Sequence, residues 1–108
     1  MKIVLPKQKI PLNFEKKFIR PHTQLLKKGF EARDMEDKWT IKSENDWVYF
    51  IRSWTSFTIY GIRLLETPYG SKVVDSWVSR DQSQYQSEDL EENRNLLEMI
   101  LESFLNRE

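Results

Sequence analysis

The chain has 108 residues, which is enough for one domain whose core folds without covalent staples. It contains no Cys, and this excludes disulfides, thiolate catalysis and thiolate metal sites. Because His22 is the single histidine, an imidazole-based zinc or iron site within one chain is not expected. Calcium-loop spacing is absent from the sequence as well. We therefore expect neither a metal nor a cofactor.

The formal net charge is zero, but the charge is distributed unevenly. Residues 1–30 carry eight Lys or Arg and one acid, residues 31–80 carry seven and eight, and residues 81–108 carry two and eight; the sums are +7, −1 and −6. The basic N-terminal arm, residues 1–29, is expected either to lie near the acidic C-terminal segment or to seek a phosphate-rich partner. Because the whole domain is neutral, composition argues against generic nucleic-acid binding.

The apolar run at the N-terminus, Ile3–Leu5, has three residues, which is too short for the central region of a signal peptide. Elsewhere the sequence has nothing approaching the roughly 20 apolar residues that a membrane-spanning helix needs. We therefore expect a cytoplasmic protein with no membrane partner.

The arm is interrupted by three prolines, Pro6, Pro11 and Pro21. Residues 14–20 have two aromatic side chains at i, i+4 spacing, which predicts a short helical segment that the last proline ends. Residues 22–28 are predicted to form one or two further helical turns, closed by Gly29.

Four segments after the arm have the apolar patterns of strands, at residues 38–42, 46–52, 57–66 and 72–80. The second is almost continuously apolar, which is typical of a central strand covered on both faces. Polar turns at residues 44–45, 53–56 and 67–70 are predicted to join the four into an antiparallel meander. Gly61 indicates a bulge or a close backbone approach in the third strand.

Residues 87–106 are predicted to form an amphipathic helix, with Ser87 as its N-cap and acidic residues in its first turn. Its apolar stripe consists of Leu90, Leu97, Ile100, Leu101 and Phe104. The predicted fold is α+β: a single domain, residues 1–108, with a basic, partly helical arm, a four-stranded antiparallel sheet within residues 30–80, and one helix packed on it. A single helix covers one sheet face, so the arm, a second copy or a protein partner must cover the other.

Two segments carry side chains suited to binding chemistry: residues 33–39, with five charges and a Trp, and residues 52–56, where the second strand turns. An arginine offers a planar fork of donors to a carboxylate or phosphate, and a neighbouring Trp offers a stacking surface. The predicted ligand-binding residues are Arg33, Asp34, Lys38, Trp39, Arg52, Ser53, Trp54, Thr55 and Arg63. Strand surfaces could bring Arg63, and with it Arg80, to the same pocket.

A structural interpretation of the same residues stays open. Arg52 could pair with Asp34, Glu36 or Asp37 across the sheet, with Trp54 packed on its aliphatic stem. These three carboxylates could instead act as general acid and base, although their spacing does not require it. His22 has no identifiable proton-transfer partner and is expected to be a surface or cap residue.

The strings RDMEDKW, residues 33–39, and YFIRSWTSFTIYGIRL, residues 49–64, resemble a family of small uncharacterised bacterial domains. Those domains have a charged DKW segment and an RSWTG-like turn before an aromatic strand. The resemblance covers about a third of the chain, and Ser56 stands where the family pattern has Gly. It implies a recurring domain, and it implies that residues 52–55 share a structural or functional role; it implies no activity.

These observations favour a small non-enzymatic binding or regulatory module that recognises an anionic, phosphate- or nucleotide-like ligand or a protein partner. One alternative is a small enzyme acting on a nucleotide- or phosphate-containing substrate, with Asp or Glu as acid and base and Arg52 clamping the anion. A second is a structural oligomerisation domain, for which self-association would cover the open sheet face.

Overall fold

The computed structural model describes residues 3–31, 38–53, 55–80 and 89–106. The described residues form a six-stranded sheet and two helices. The elements in chain order are β1 (Lys9–Pro11), β2 (Lys17–Ile19), α1 (Arg20–Lys28), β3 (Trp39–Glu44), β4 (Trp47–Arg52), β5 (Thr58–Thr67), β6 (Gly70–Ser79) and α2 (Leu90–Leu105). Neither helix is long and apolar enough to cross a lipid bilayer.

Strands β3 to β6 form the predicted antiparallel meander, in which each strand pairs with the next along the chain. The predicted number of four strands is wrong, because the arm adds β1 and β2 to the free edge of β6. The strand order is therefore β1-β6-β5-β4-β3, with β2 also paired to β6. The fold is α+β as predicted, with an antiparallel sheet and a C-terminal helix.

The helical segment predicted at residues 14–20 is wrong over β2. In this strand Phe18 is buried and its two neighbours are exposed, which is the two-residue alternation of an edge strand. Pairing with β6 supplies hydrogen-bond partners that override the local helical spacing of the two aromatics. The second predicted helical segment is present as α1, and Gly29 follows it with a positive φ of 77°.

The main core lies between the sheet and the two helices. Val48 and Phe50 of β4 and Ile62 of β5 meet Leu97 and Leu101 of α2 there. The arm contributes further buried side chains to this core, namely Leu12, Phe14, Phe18 and Leu26. We call this side of the sheet the helix face.

Helix α2 begins at Leu90, later than predicted, because Asp89 is its N-cap. The Asp89 side chain accepts hydrogen bonds from the backbone N–H groups of Glu91 and Glu92, at 2.9 and 3.3 Å. The expected cap, Ser87, lies outside the described residues.

The other side of the sheet, the second face, has a smaller cluster of Tyr49, Ile51 and Trp77. Ile3 and Trp47 pack against this cluster, so the arm contributes side chains to both faces. Gly61 of β5 pairs with Tyr49 on one side and with Trp77 on the other. A Cβ at Gly61 would sit 2.4 Å from the Trp77 indole. The glycine therefore marks a close approach by an indole; the register shifts of β5 lie at Phe50/Ile51 of β4 and at Arg63/Leu64.

Candidate functional site

Trp39 and Arg52 are direct cross-strand partners, at the first residue of β3 and the last residue of β4. The Arg52 Cζ atom lies 5.3 Å from the centroid of the Trp39 ring, which is a cation–π distance. The Trp39 ring in turn packs on buried Tyr60, at a centroid distance of 5.9 Å and an angle of 41°. The guanidinium is thus held against an indole that the core itself positions.

The backbone around Arg52 is fixed by the turn that follows it. The Arg52 N–H donates to the Phe57 carbonyl at 2.8 Å, and the Arg52 carbonyl accepts from the Ser56 N–H at 2.7 Å. The Ser53 N–H donates to the Lys38 carbonyl at 3.0 Å, which joins the residue after β4 to the residue before β3. Arg52 therefore projects from a rigid position.

Thr55 and Ser56 have roles within this turn. The Thr55 Oγ1 atom accepts a hydrogen bond from the Phe57 N–H at 3.3 Å. Ser56 has a φ of 62°, in the left-handed region that favours glycine. This conformation explains physically why a glycine would suit the position.

The Arg52 guanidinium has no acceptor of its own in the described part of the chain. The ion pairs found there join Lys16 to Glu98, Lys27 to Glu66 and Lys42 to Glu31. The hydrogen bonds of Arg52 are made by its backbone. A guanidinium carries five N–H donors in a fixed fork, so this half-buried group can receive a carboxylate or a phosphate from outside.

The structure brings together some of the predicted site residues. Trp39, Arg52 and Ser53 lie at one end of the sheet with exposed Lys38 beside them. Arg33, Asp34 and Trp54 lie outside the described residues, as do the carboxylates of Glu36 and Asp37.

Arg63 does not belong to this group. It pairs with Trp47, and the residues on either side of it, Ile62 and Leu64, point into the helix-face core. Because successive strand residues point to opposite faces, Arg63 lies on the second face, whereas Arg52 and Trp39 lie on the helix face. The structure therefore does not bring Arg63 together with Arg52 and Trp39.

Arg80 follows β6 at the sheet end where β4 ends. Its Nη2 atom donates to the Asn93 Oδ1 atom of α2 at 2.9 Å, and Asn93 is fully buried. Arg80 therefore ties the sheet to the helix. Sequence reasoning missed Tyr60 as the support of the Trp39 ring; its place on the core side of β5 was the available signal.

Among the described residues, no three His, Asp or Glu side chains form a group that could hold a metal ion. Away from the site, burial raises the pKa of Tyr49 above its ordinary value of 10.0, and Glu44 raises it further.

A scan against protein-family models, a search of curated proteins and a search of solved structures each found no match to this chain. The resemblance to small bacterial domains therefore stays a prediction.

Proposed function

We propose that this chain is a non-enzymatic binding module that recognises a small anionic ligand through Arg52 and Trp39. One observation carries the proposal. The guanidinium is stacked on an indole and fixed at its backbone, yet its donors have no acceptor among the described residues. A stacked guanidinium with an unused fork is the arrangement that binds carboxylate or phosphate in two parallel hydrogen bonds.

Two features of the site favour recognition. Stacking restricts the side-chain freedom of Arg52, so less conformational entropy is lost when a ligand binds. Exposed Lys38 adds a second positive charge nearby. A hydrogen bond to a charged group contributes about 1.5–3 kcal/mol. Two such bonds contribute about 3–6 kcal/mol, which is comparable to the cost of association, so measurable affinity needs further contacts with the ligand.

The test is an NMR titration of the full chain with inorganic phosphate, citrate, AMP and ADP-ribose. We expect saturable shifts at the backbone amides of Arg52, Ser53 and Trp39. Arg52→Ala should abolish them, and Arg52→Lys should keep part of the charge effect while losing the bidentate fork. The matched control is Arg63→Ala, which removes the same charge from an exposed position on the opposite face.

Shifts that are equal in Arg52→Ala and in the unmodified chain would refute the proposal. Product formation from any bound nucleotide would replace it with the enzyme alternative. Absence of every shift, together with a concentration-dependent dimer in light scattering, would favour the oligomerisation domain.

A further inference from the structure

The start of β6 holds an unusual pair of lysines. Lys17 of β2 and Lys72 of β6 are direct cross-strand partners. The Val73 N–H donates to the Lys16 carbonyl at 2.9 Å, so Lys16 and Val73 form a hydrogen-bonded pair. Because the two kinds of pair alternate along the ladder, Lys17 and Lys72 form a non-hydrogen-bonded pair. In such pairs the Cα atoms approach to about 4.5 Å, the closest spacing in an antiparallel ladder. Like charges directly opposite each other destabilise a sheet.

The two ammonium groups have no ion-pair partner among the described residues. In the ion pairs found there, Glu66 binds Lys27 and Glu98 binds Lys16. Phe18 and Ser71, the residues next to the two lysines, are buried on the helix face. Because side chains alternate along a strand, both lysines therefore point to the second face.

A pocket of about 320 Å³ lies at this position. Its walls are Lys17, Phe18, Ile19, Thr67, Tyr69 and Lys72, joined by Ser71. The lining thus combines two cations with apolar and aromatic side chains, two of which, Ile19 and Tyr69, are largely exposed. The volume is at the lower end of the range of small-molecule sites.

The frame of the pocket is held by contacts that surround it. Gly70 lets β2 pass close to the β5–β6 turn, since a Cβ there would lie 2.0 Å from the Phe18 carbonyl oxygen. The Arg20 Nη2 atom donates to the Pro68 carbonyl at 2.8 Å, which fixes the turn against the start of α1. The Thr23 and Ser71 hydroxyls bond at 2.7 Å beneath it. The pocket is therefore built by the fold without a ligand.

We propose that this pocket is a second binding site, one that takes a small organic anion. A carboxylate or phosphate group would lie between the Lys17 and Lys72 ammonium groups and relieve their repulsion. The apolar or aromatic part of the ligand would pack on Ile19 and Tyr69. The site is separate from Arg52, because β6 begins at the pocket and ends beside the Arg52 region, about 30 Å away for ten strand residues.

The test uses phenyl phosphate as the probe, with inorganic phosphate and phenol as its charged and apolar halves, in NMR titrations of the full chain. We expect phenyl phosphate to shift the amides of Lys17, Tyr69 and Lys72 and to bind more tightly than either half. Lys17→Ala and Lys72→Ala should each weaken binding about three- to tenfold. Tyr69→Ala should weaken phenyl phosphate but leave inorganic phosphate unchanged.

Two controls distinguish this site from general charge effects. Lys28→Ala removes the same charge from an exposed position at the end of α1 and should leave the affinity unchanged. Arg52→Ala should leave the titration shifts of the Lys17, Tyr69 and Lys72 amides unchanged while it abolishes those at Arg52 and Trp39, so the failure of one site is not confused with failure of the other. Equal weakening by Lys28→Ala and Lys72→Ala, or an absence of saturable shifts at the pocket, would overturn the proposal.

Thermal unfolding gives a second readout that does not depend on chemical shifts. Without ligand, Lys72→Ala should be at least as stable as the unmodified chain, because it removes the like-charge pair. With phenyl phosphate, the melting temperature should rise less in the variant than in the unmodified chain, because the variant keeps only the weaker pocket and the Arg52 site. A variant that melts lower and still gains the full increase would contradict the proposed site.

The same phosphate chemistry could come from a soluble metabolite or from a lipid headgroup. Sedimentation with phosphatidylcholine vesicles, with and without phosphatidic acid, separates the two sources. Lysine-dependent sedimentation with phosphatidic acid would identify a headgroup as the ligand. Binding of phenyl phosphate without sedimentation would identify a soluble one.

Discussion

The two faces of the sheet differ in how they are covered. On the helix face, buried apolar side chains from the arm, the sheet and α2 form one continuous cluster. On the second face, the smaller cluster of Tyr49, Ile51 and Trp77 is followed toward the start of β6 by Lys72 and exposed Leu65. The comparison indicates that the helix face holds the larger part of the buried core, whereas the second face keeps exposed side chains at the start of β6.

The largest effect on stability is expected from a substitution that creates a cavity on the helix face. Leu101 of α2 is fully buried, so Leu101→Ala should lower the free energy of unfolding by about 2–5 kcal/mol. Met99 on the same helix is 65% exposed, and Met99→Ala should change it by less than about 0.5 kcal/mol. Urea unfolding followed by circular dichroism measures both. Equal losses from the two substitutions would show that α2 does not pack as described.

A smaller effect is expected from overpacking the second face. Gly61→Ala places a methyl group against the Trp77 ring and should cost about 1–3 kcal/mol of unfolding free energy. Trp77→Leu removes the ring, so the penalty of Gly61→Ala should shrink in the double variant. A double-mutant cycle in urea measures this coupling, and additive effects of the two substitutions would contradict the proposed contact.

The smallest effect concerns the burial of Tyr49 on the second face, where it is 9% exposed. Burial and Glu44 raise its pKa, so the unfolded chain loses the phenolic proton before the folded one does. The resulting contribution to stability is fully present below the ordinary pKa of about 10 and is lost as pH rises above it.

We expect the urea midpoint of the unmodified chain to fall between about pH 9 and about pH 11 more steeply than that of Tyr49→Phe. Tyr69→Phe is the control, because Tyr69 is 84% exposed. If Tyr69→Phe removed as much of the slope as Tyr49→Phe, the raised pKa would not belong to the buried ring.

The central strands and the C-terminal helix could be predicted because each has a strong local period. The nearly continuous apolar run of β4 predicted cover on both faces, and the structure has apolar clusters on both sides of it. Strands β1 and β2 could not be predicted, since three residues each are too few for a pattern. Their pairing depends on a free edge of β6 that lies more than 50 residues away along the chain.

The candidate site was predictable in its residue types and only partly in its geometry. Arg52 and Trp39 were both expected to bind, and the structure makes them a stacked pair. Their contact depends on the register of β3 against β4, which aligns the two residues. The position of Arg63 depends on alternation within β5, which places its side chain on the face opposite Arg52.

The amino-acid sequence by itself determined the elements whose signal lies within a few neighbouring residues: the meander strands, their turns and the amphipathic α2. Only the tertiary structure decided which side chains from distant segments meet. The indole of Trp39 under the Arg52 guanidinium and the opposed ammonium groups of Lys17 and Lys72 both result from strand register. Register is set by long-range pairing and by burial of one sheet face, and these interactions leave no local pattern in the chain.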